Sequence, residues 1–128
     1  MALEYLGVDR TGRCEVLRMP PWDEVARAVS LLDGRDVTML TLAASDDTYM
    51  TIAGGEAGVY VVGATFASGR FAALLEPSRA GGTIAVVAGR ERRTMASEMG
   101  VGQDAVLRAA RRFYLSATLD PELAWATR

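Results

Sequence analysis

The sequence contains no histidine, no lysine and no asparagine, and Cys14 is its only cysteine. Without histidine there is no Ser-His-Asp or Cys-His catalytic arrangement and no histidine metal site. Without lysine there is neither a Schiff-base nucleophile nor a phosphate-loop lysine. A lone cysteine cannot build a zinc site or a disulfide within the chain, and it fits a reducing compartment. We therefore expect that the protein is not an enzyme and uses neither a cofactor nor a metal.

Long apolar runs are also missing, since no stretch approaches the roughly 20 residues that a membrane-spanning helix requires. Residues 1–5 lack the basic-then-apolar layout of a secretory signal, so export by that route is not expected. The 14 basic residues, all arginine, and the 16 acidic residues give a net charge of −2. This balance argues against a general nucleic-acid binder, which needs clustered positive charge. We expect a cytoplasmic protein that binds neither nucleic acid nor a membrane.

The sequence does have the composition and periodicity of a folded chain. Half of its 128 residues are hydrophobic, and we expect residues 1–128 to form a single domain. After Pro20-Pro21, apolar residues recur at helical spacing from Trp22 to Leu32, and Asp33-Gly34 ends this first predicted helix. A second apolar stripe with helical spacing covers residues 106–117.

Between the helices the hydrophobic period becomes that of strands. Short β-type runs occupy residues 37–42, 49–52, 59–62, 71–75 and 83–88, separated by turn residues. Their spacing leaves no room for crossover helices and implies an antiparallel meander. The nearly all-apolar run 83–88 is interpreted as a central strand buried on both faces. The predicted further strands are a hairpin of residues 4–8 with 14–18 and a short last strand at residues 93–96.

These elements predict an α+β fold in which an antiparallel β-meander sheet of about five to six strands is covered by two helices. The loops offer little chemistry. Asp46-Asp47 is interpreted as turn polarity rather than a metal or acid–base pair, because adjacent loop carboxylates point apart. The glycine-rich residues 54–58 open no helix and are interpreted as a hairpin loop, and the arginine-rich residues 90–93 as a solvated loop.

The C-terminal region carries a more specific pattern. Residues 105–113 combine paired alanines with an aromatic on a helix, residues 120–121 form an Asp-Pro turn, and residues 123–125 read Leu-Ala-Trp. This pattern resembles the closing signature of the first-numbered immunity-protein family of bacterial polymorphic toxin systems. Upstream, the elements that fall in the family's order are Trp22 with its helix and the runs 40–42, 49–52 and 59–62. The resemblance covers residues 22–125.

The resemblance implies an α+β fold, no catalysis, no cofactor, and protection of the producing cell by binding a cognate toxin, commonly a nucleic-acid deaminase. It implies structural roles for Trp22, Phe113, Pro121 and Trp125. Phe113 and Trp125 would hold the last helix and the tail against the sheet. No toxin-binding residue is carried over, because inhibitor contacts differ between family members.

An acidic surface is the toxin-binding hypothesis that the residues themselves suggest. A toxin that acts on nucleic acid presents a basic substrate groove, which an inhibitor can fill with carboxylates. Asp46 and Asp47, with Tyr49 leading out of their turn, are the best acid–aromatic combination in the sequence. Glu56 and Glu76 would lie on the same rim of the predicted meander.

Two other interpretations stay open. A non-catalytic oligomeric scaffold, regulatory domain or secretion adaptor would form a stable homo-oligomer that buries the sheet face, whereas an immunity protein keeps a surface free for its toxin. A homo-oligomer is not the prediction. A small-ligand binder would instead need a deep pocket.

Overall fold

The structure, a computed structural model, describes residues 2–128. Those residues form nine strands and two α-helices. The elements are β1 (Tyr5–Arg10), β2 (Arg13–Arg18), α1 (Trp22–Leu31), β3 (Val37–Ser45), β4 (Thr48–Gly54), β5 (Tyr60–Thr65), β6 (Phe71–Leu75), β7 (Thr83–Ala88), β8 (Glu91–Ala96), α2 (Gln103–Ser116) and β9 (Ala124–Thr127). Neither helix of the described chain is long and apolar enough to cross a membrane.

Seven strands form one antiparallel sheet in the order β2-β1-β3-β4-β5-β6-β9. The predicted α+β class and the antiparallel meander from β3 to β6 are confirmed. The sheet nevertheless has more strands than the about five to six expected, because both ends of the chain add to the meander. The N-terminal hairpin joins it where β1 pairs with β3, and the C-terminal tail joins it where Trp125 lies opposite Leu74.

Local sequence features set the start of α1 and the end of α2. Proline precedes α1, and two carboxylates lie in its first turn, where they favour the positive end of the helix. At the far end of α2, Ala117 adopts a left-handed conformation with φ of 55°, and its N–H closes the last turn on the Phe113 carbonyl. Compared with the prediction, α1 ends one residue earlier, at Leu31, and α2 ends one residue earlier, at Ser116.

The hydrophobic core lies between the two helices and one face of the sheet. Side chains alternate along each strand, so one set faces the helices and the other faces away. The fully buried members from the sheet include Leu6, Leu40 and Ile52, and from the helices Val29 and Phe113. The opposite face of the sheet carries no helix in the described chain. The β7–β8 hairpin covers part of that face.

The interpretation of residues 83–88 as a central strand buried on both faces is wrong. β7 pairs with β8 in a separate two-stranded hairpin, and Val86 is the only one of its six residues that is buried. The short helical turn Pro77–Arg79 and the following Gly81-Gly82 carry the chain away from the edge of β6. That edge is taken by β9, so the apolar run packs over the second face of the sheet instead. β8 also begins earlier than predicted, at Glu91.

Candidate functional site

The second face of the sheet is formed by the residues that alternate with the core side chains. On β3 to β6 these residues are mostly small: Thr41, Ala43, Thr51, Ala53, Gly63, Thr65 and Ala73. The β7–β8 hairpin crosses part of this face and leaves the rest open. A face of small apolar and threonine side chains without a covering helix is a surface on which another chain can pack closely.

Gly54 brings the hairpin against the sheet. Its φ is +93°, and a Cβ placed on it would lie 3.0 Å from Cγ1 of Val86 in β7 and 2.6 Å from the Val59 carbonyl oxygen. The absence of a side chain at Gly54 therefore allows β7 to approach the end of β4. The buried Val86 is the hairpin's contact at this point.

A groove of about 470 Å³ lies between the hairpin and the open face. Its floor is formed by Met39, Thr51, Ala53, Val61, Gly63, Thr65 and Phe71, and its other wall by Val86, Ala88, Arg90, Glu91, Arg93, Met95 and Met99. Three of these residues are methionines, whose flexible side chains adapt to differently shaped partners. Gly63 leaves room for the Phe71 ring, since a Cβ there would lie 3.1 Å from its Cζ. We refer to this cleft as the groove.

The rim of the groove on the hairpin side is charged. Arg93 forms an ion pair with Glu91 at 3.1 Å, and both side chains are exposed. Arg90 forms no ion pair with any residue in the 2–128 range. The rim therefore carries an excess of positive charge beside an apolar floor.

The predicted acidic residues do not form one rim. Asp46 and Asp47 lie in the β3–β4 turn, where the Ser45 hydroxyl donates to an Asp47 carboxylate oxygen at 2.8 Å. Tyr49, half-buried, follows on the open face. These three residues are close in the fold as well as in sequence, and they lie at one end of the open face.

Glu56 and Glu76 lie at the other end of the sheet. Tyr49 of β4 pairs with Thr65, whereas Gly54 pairs with Tyr60, so Glu56 follows the far end of a strand about 20 Å long. Glu56 faces Arg92 of the hairpin at 3.8 Å. Glu76 accepts hydrogen bonds from the hydroxyl and N–H of Ser78, which lower its pKa, and it caps the turn after β6.

Three of the four residues that the resemblance marks as structural, Trp22, Phe113 and Trp125, lie in or beside the core, and Pro121 is exposed. Phe113 is fully buried. Trp22 packs edge-on against Tyr114, with 5.6 Å between ring centroids. Pro121 lies in the turn before β9, and the Trp125 indole donates to the Asp120 carbonyl at 2.9 Å.

An ion pair joins the end of the chain to α2. Arg108 Nε donates to Asp120 at 2.8 Å, and the same guanidinium contacts Glu122. The N–H of Glu122, together with Arg108, lowers the pKa of the Asp120 carboxyl. The tail is thus tied to both the last helix and the sheet edge.

The described residues contain no cluster of three or more cysteine or carboxylate side chains arranged to hold a metal ion. Comparison with known proteins adds no relative, because the chain matches no family model and no curated protein sequence. The geometry of the open face is therefore what bears on function.

Sequence reasoning missed the groove and its arginine rim. The sequence predicts a solvated loop at residues 90–93, yet Arg90, Glu91 and Arg93 line the groove. A signal was present, because Glu91, Arg93 and Met95 alternate along the chain and share one face of a strand. What that face packs against depends on where the hairpin lies.

Proposed function

We propose that this protein is an immunity protein that binds a cognate bacterial toxin domain and occludes its active or substrate-binding site. The observation that carries the proposal is the open sheet face with its groove of about 470 Å³. One face of the sheet is closed by two helices, whereas the other presents an apolar floor to solvent. The resemblance of the C-terminal signature supplies the class of partner.

Shape and composition support a protein as the occupant of the groove. The floor is apolar and flanked by methionines, a combination typical of surfaces that bind protein segments of varied shape. Charged residues form the rim rather than the floor, as in protein–protein interfaces. A toxin segment with apolar side chains and an acidic flank would match the floor and the free Arg90.

The acidic turn suggests how the toxin's substrate site would be blocked. Asp46 and Asp47 stand at one end of the open face, and their carboxylates would meet a basic, nucleic-acid-binding groove of a deaminase. We expect the D46R/D47R double variant to weaken toxin binding. Unchanged affinity would contradict the acidic contribution but leave the groove as the binding surface.

The experiment begins with identification of the partner by tagged purification from the native organism and mass spectrometry. The partner domain is then produced, and its affinity and toxic activity are measured with each variant. Thr51→Arg places an unpaired charge on the groove floor and should weaken binding about 100-fold or more, because burying an uncompensated charge costs several kcal/mol.

Thr94→Arg is the matched control, because Thr94 lies on β8, whose neighbouring residues Arg93 and Met95 face the groove while Thr94 alternates away from it. This variant should bind and neutralise like the wild type. A partner that is not a toxin would refute the immunity role. A toxin inhibited equally well by the Thr51→Arg variant would show that the groove is not the interface.

An oligomeric scaffold or adaptor is the second candidate, and the sheet edge at β2 favours it. All six residues of β2 are exposed, and Val16 and the adjoining Met19 keep 53% and 66% of their surface accessible. An exposed edge strand that carries apolar side chains can pair with a second copy. Light scattering over a range of protein concentrations tests this, with Val16→Arg as the disrupting variant. A stable dimer lost in that variant would favour the scaffold, and a monomer at all concentrations would exclude it.

A further inference from the structure

A second concave site lies at the end of the sheet opposite the acidic turn. Three arginines from separate segments border it: Arg10 at the end of β1, Arg35 between α1 and β3, and Arg90 in the β7–β8 turn. Its volume is about 520 Å³, within the range of small-molecule sites. We refer to it as the arginine pocket.

Contacts between the turns hold these segments together. The N–H of Thr11 donates to the Asp36 carbonyl at 2.9 Å, and its hydroxyl donates to the Arg35 carbonyl at 3.2 Å. Arg90 reaches across to the β1–β2 turn, where its guanidinium lies 3.7 Å from the position of a Cβ on Gly12. The arginines are therefore brought together by tertiary contacts rather than by neighbouring positions in the sequence.

Positive charge in the arginine pocket is poorly compensated. Arg35 and Arg90 make no ion pair and no side-chain hydrogen bond with any residue from 2 to 128, and Asp9 is the only carboxylate in the pocket lining described. Arg10 is ion-paired with Glu15 at 3.1 Å, so the uncompensated charge is that of Arg35 and Arg90. Like charges held close together repel one another unless an anion lies between them.

We propose that the arginine pocket binds a phosphate group, carried by inorganic phosphate or by a small phosphorylated molecule. Guanidinium groups bind phosphate oxygens through paired, charge-assisted hydrogen bonds. The two guanidinium groups without an ion pair, those of Arg35 and Arg90, come from different walls and suit an anion with several oxygens. The volume leaves space beside the phosphate for a small organic group. The arginine pocket shares Arg90 with the groove, but the proposed phosphate binding does not rest on the proposed toxin binding.

Calorimetric titration at low ionic strength with phosphate, AMP and adenosine tests the proposal. We expect phosphate and AMP to bind the wild-type protein and adenosine not to bind. Arg35→Gln and Arg90→Gln should each weaken phosphate binding about tenfold, and the double variant should abolish it. AMP binding more tightly than phosphate would assign the site to a phosphorylated molecule, and equal affinities would assign it to free phosphate.

Arg79→Gln is the control, because Arg79 is an exposed arginine on the turn after β6 and does not line the pocket. It should bind phosphate as the wild type does. The proposal is overturned if the wild type binds no phosphate, if the double variant keeps its affinity, or if Arg79→Gln loses as much as the pocket variants do. Thermal unfolding of each exposed-arginine variant confirms that it remains folded.

Discussion

Replacing Gly54 with alanine tests whether a missing side chain sets the distance between the β7–β8 hairpin and the sheet. The new Cβ would meet the Val59 carbonyl oxygen at 2.6 Å and Val86 Cγ1 at 3.0 Å. The first contact is with backbone, which cannot rotate away as a flexible side chain can. β5 or the hairpin must therefore move.

The expected cost is the sum of two destabilising effects, reduced by one stabilising effect. A non-glycine residue with φ near the observed +93° is disfavoured by about 1–2 kcal/mol. Forcing extra volume into a packed site adds about 1–3 kcal/mol. Alanine also lowers the conformational entropy of the unfolded chain, which offsets about 0.4–1 kcal/mol of this cost. We therefore expect Gly54→Ala to lower the free energy of unfolding by about 3 kcal/mol.

Gly58→Ala is the matched control, because it has the backbone strain of this effect without the steric part. Gly58 also has a positive φ, +73°, but a Cβ there would find nothing within 4 Å. It should cost about 1 kcal/mol from backbone strain alone. Urea unfolding followed by tryptophan fluorescence and circular dichroism measures both variants. Equal losses for the two variants would refute the argument that close approach at Gly54 positions the hairpin.

Other predictions concern the core, a loop cap and the tail. Phe113→Ala should lower the free energy of unfolding by about 3–5 kcal/mol, and Phe113→Leu by about 1 kcal/mol, since both truncate a fully buried ring but leave cavities of different size. Asp33 accepts hydrogen bonds from the N–H groups of residues 35–37, chiefly that of Arg35, and these lower its pKa below the ordinary 3.8. Because the folded pKa is the lower one, its contribution of about 1 kcal/mol is present above pH 4 and is lost as the pH falls through the folded pKa. Asp33→Ala should therefore differ from the wild type in unfolding at pH 6 but converge with it in strong acid, and a gap independent of pH would contradict the assignment. Trp125→Phe removes the indole donor to the Asp120 carbonyl and should cost about 1 kcal/mol, with faster amide exchange in β9 but not in β4.

The sequence by itself determined the local elements. Both helices lie close to their predicted positions, because helical apolar spacing is a local signal. The start of α1 is also marked by the proline before it. The meander from residue 37 to 75 also follows from local alternation and short connections, which permit only antiparallel neighbours. The missing histidine and lysine excluded several kinds of site before any fold was known.

Tertiary structure decided where the outlying strands lie and what they form. The apolar run 83–88 predicts a strand but not the sheet to which that strand belongs. It lies outside the seven-stranded sheet because β9 occupies the edge of β6. The hydrophobic pattern cannot distinguish these arrangements, because the same apolar run fits a central strand or a hairpin packed across a face. The groove and the arginine pocket depend on the position of the β7–β8 hairpin, because both lie where this hairpin meets segments that are distant in the sequence.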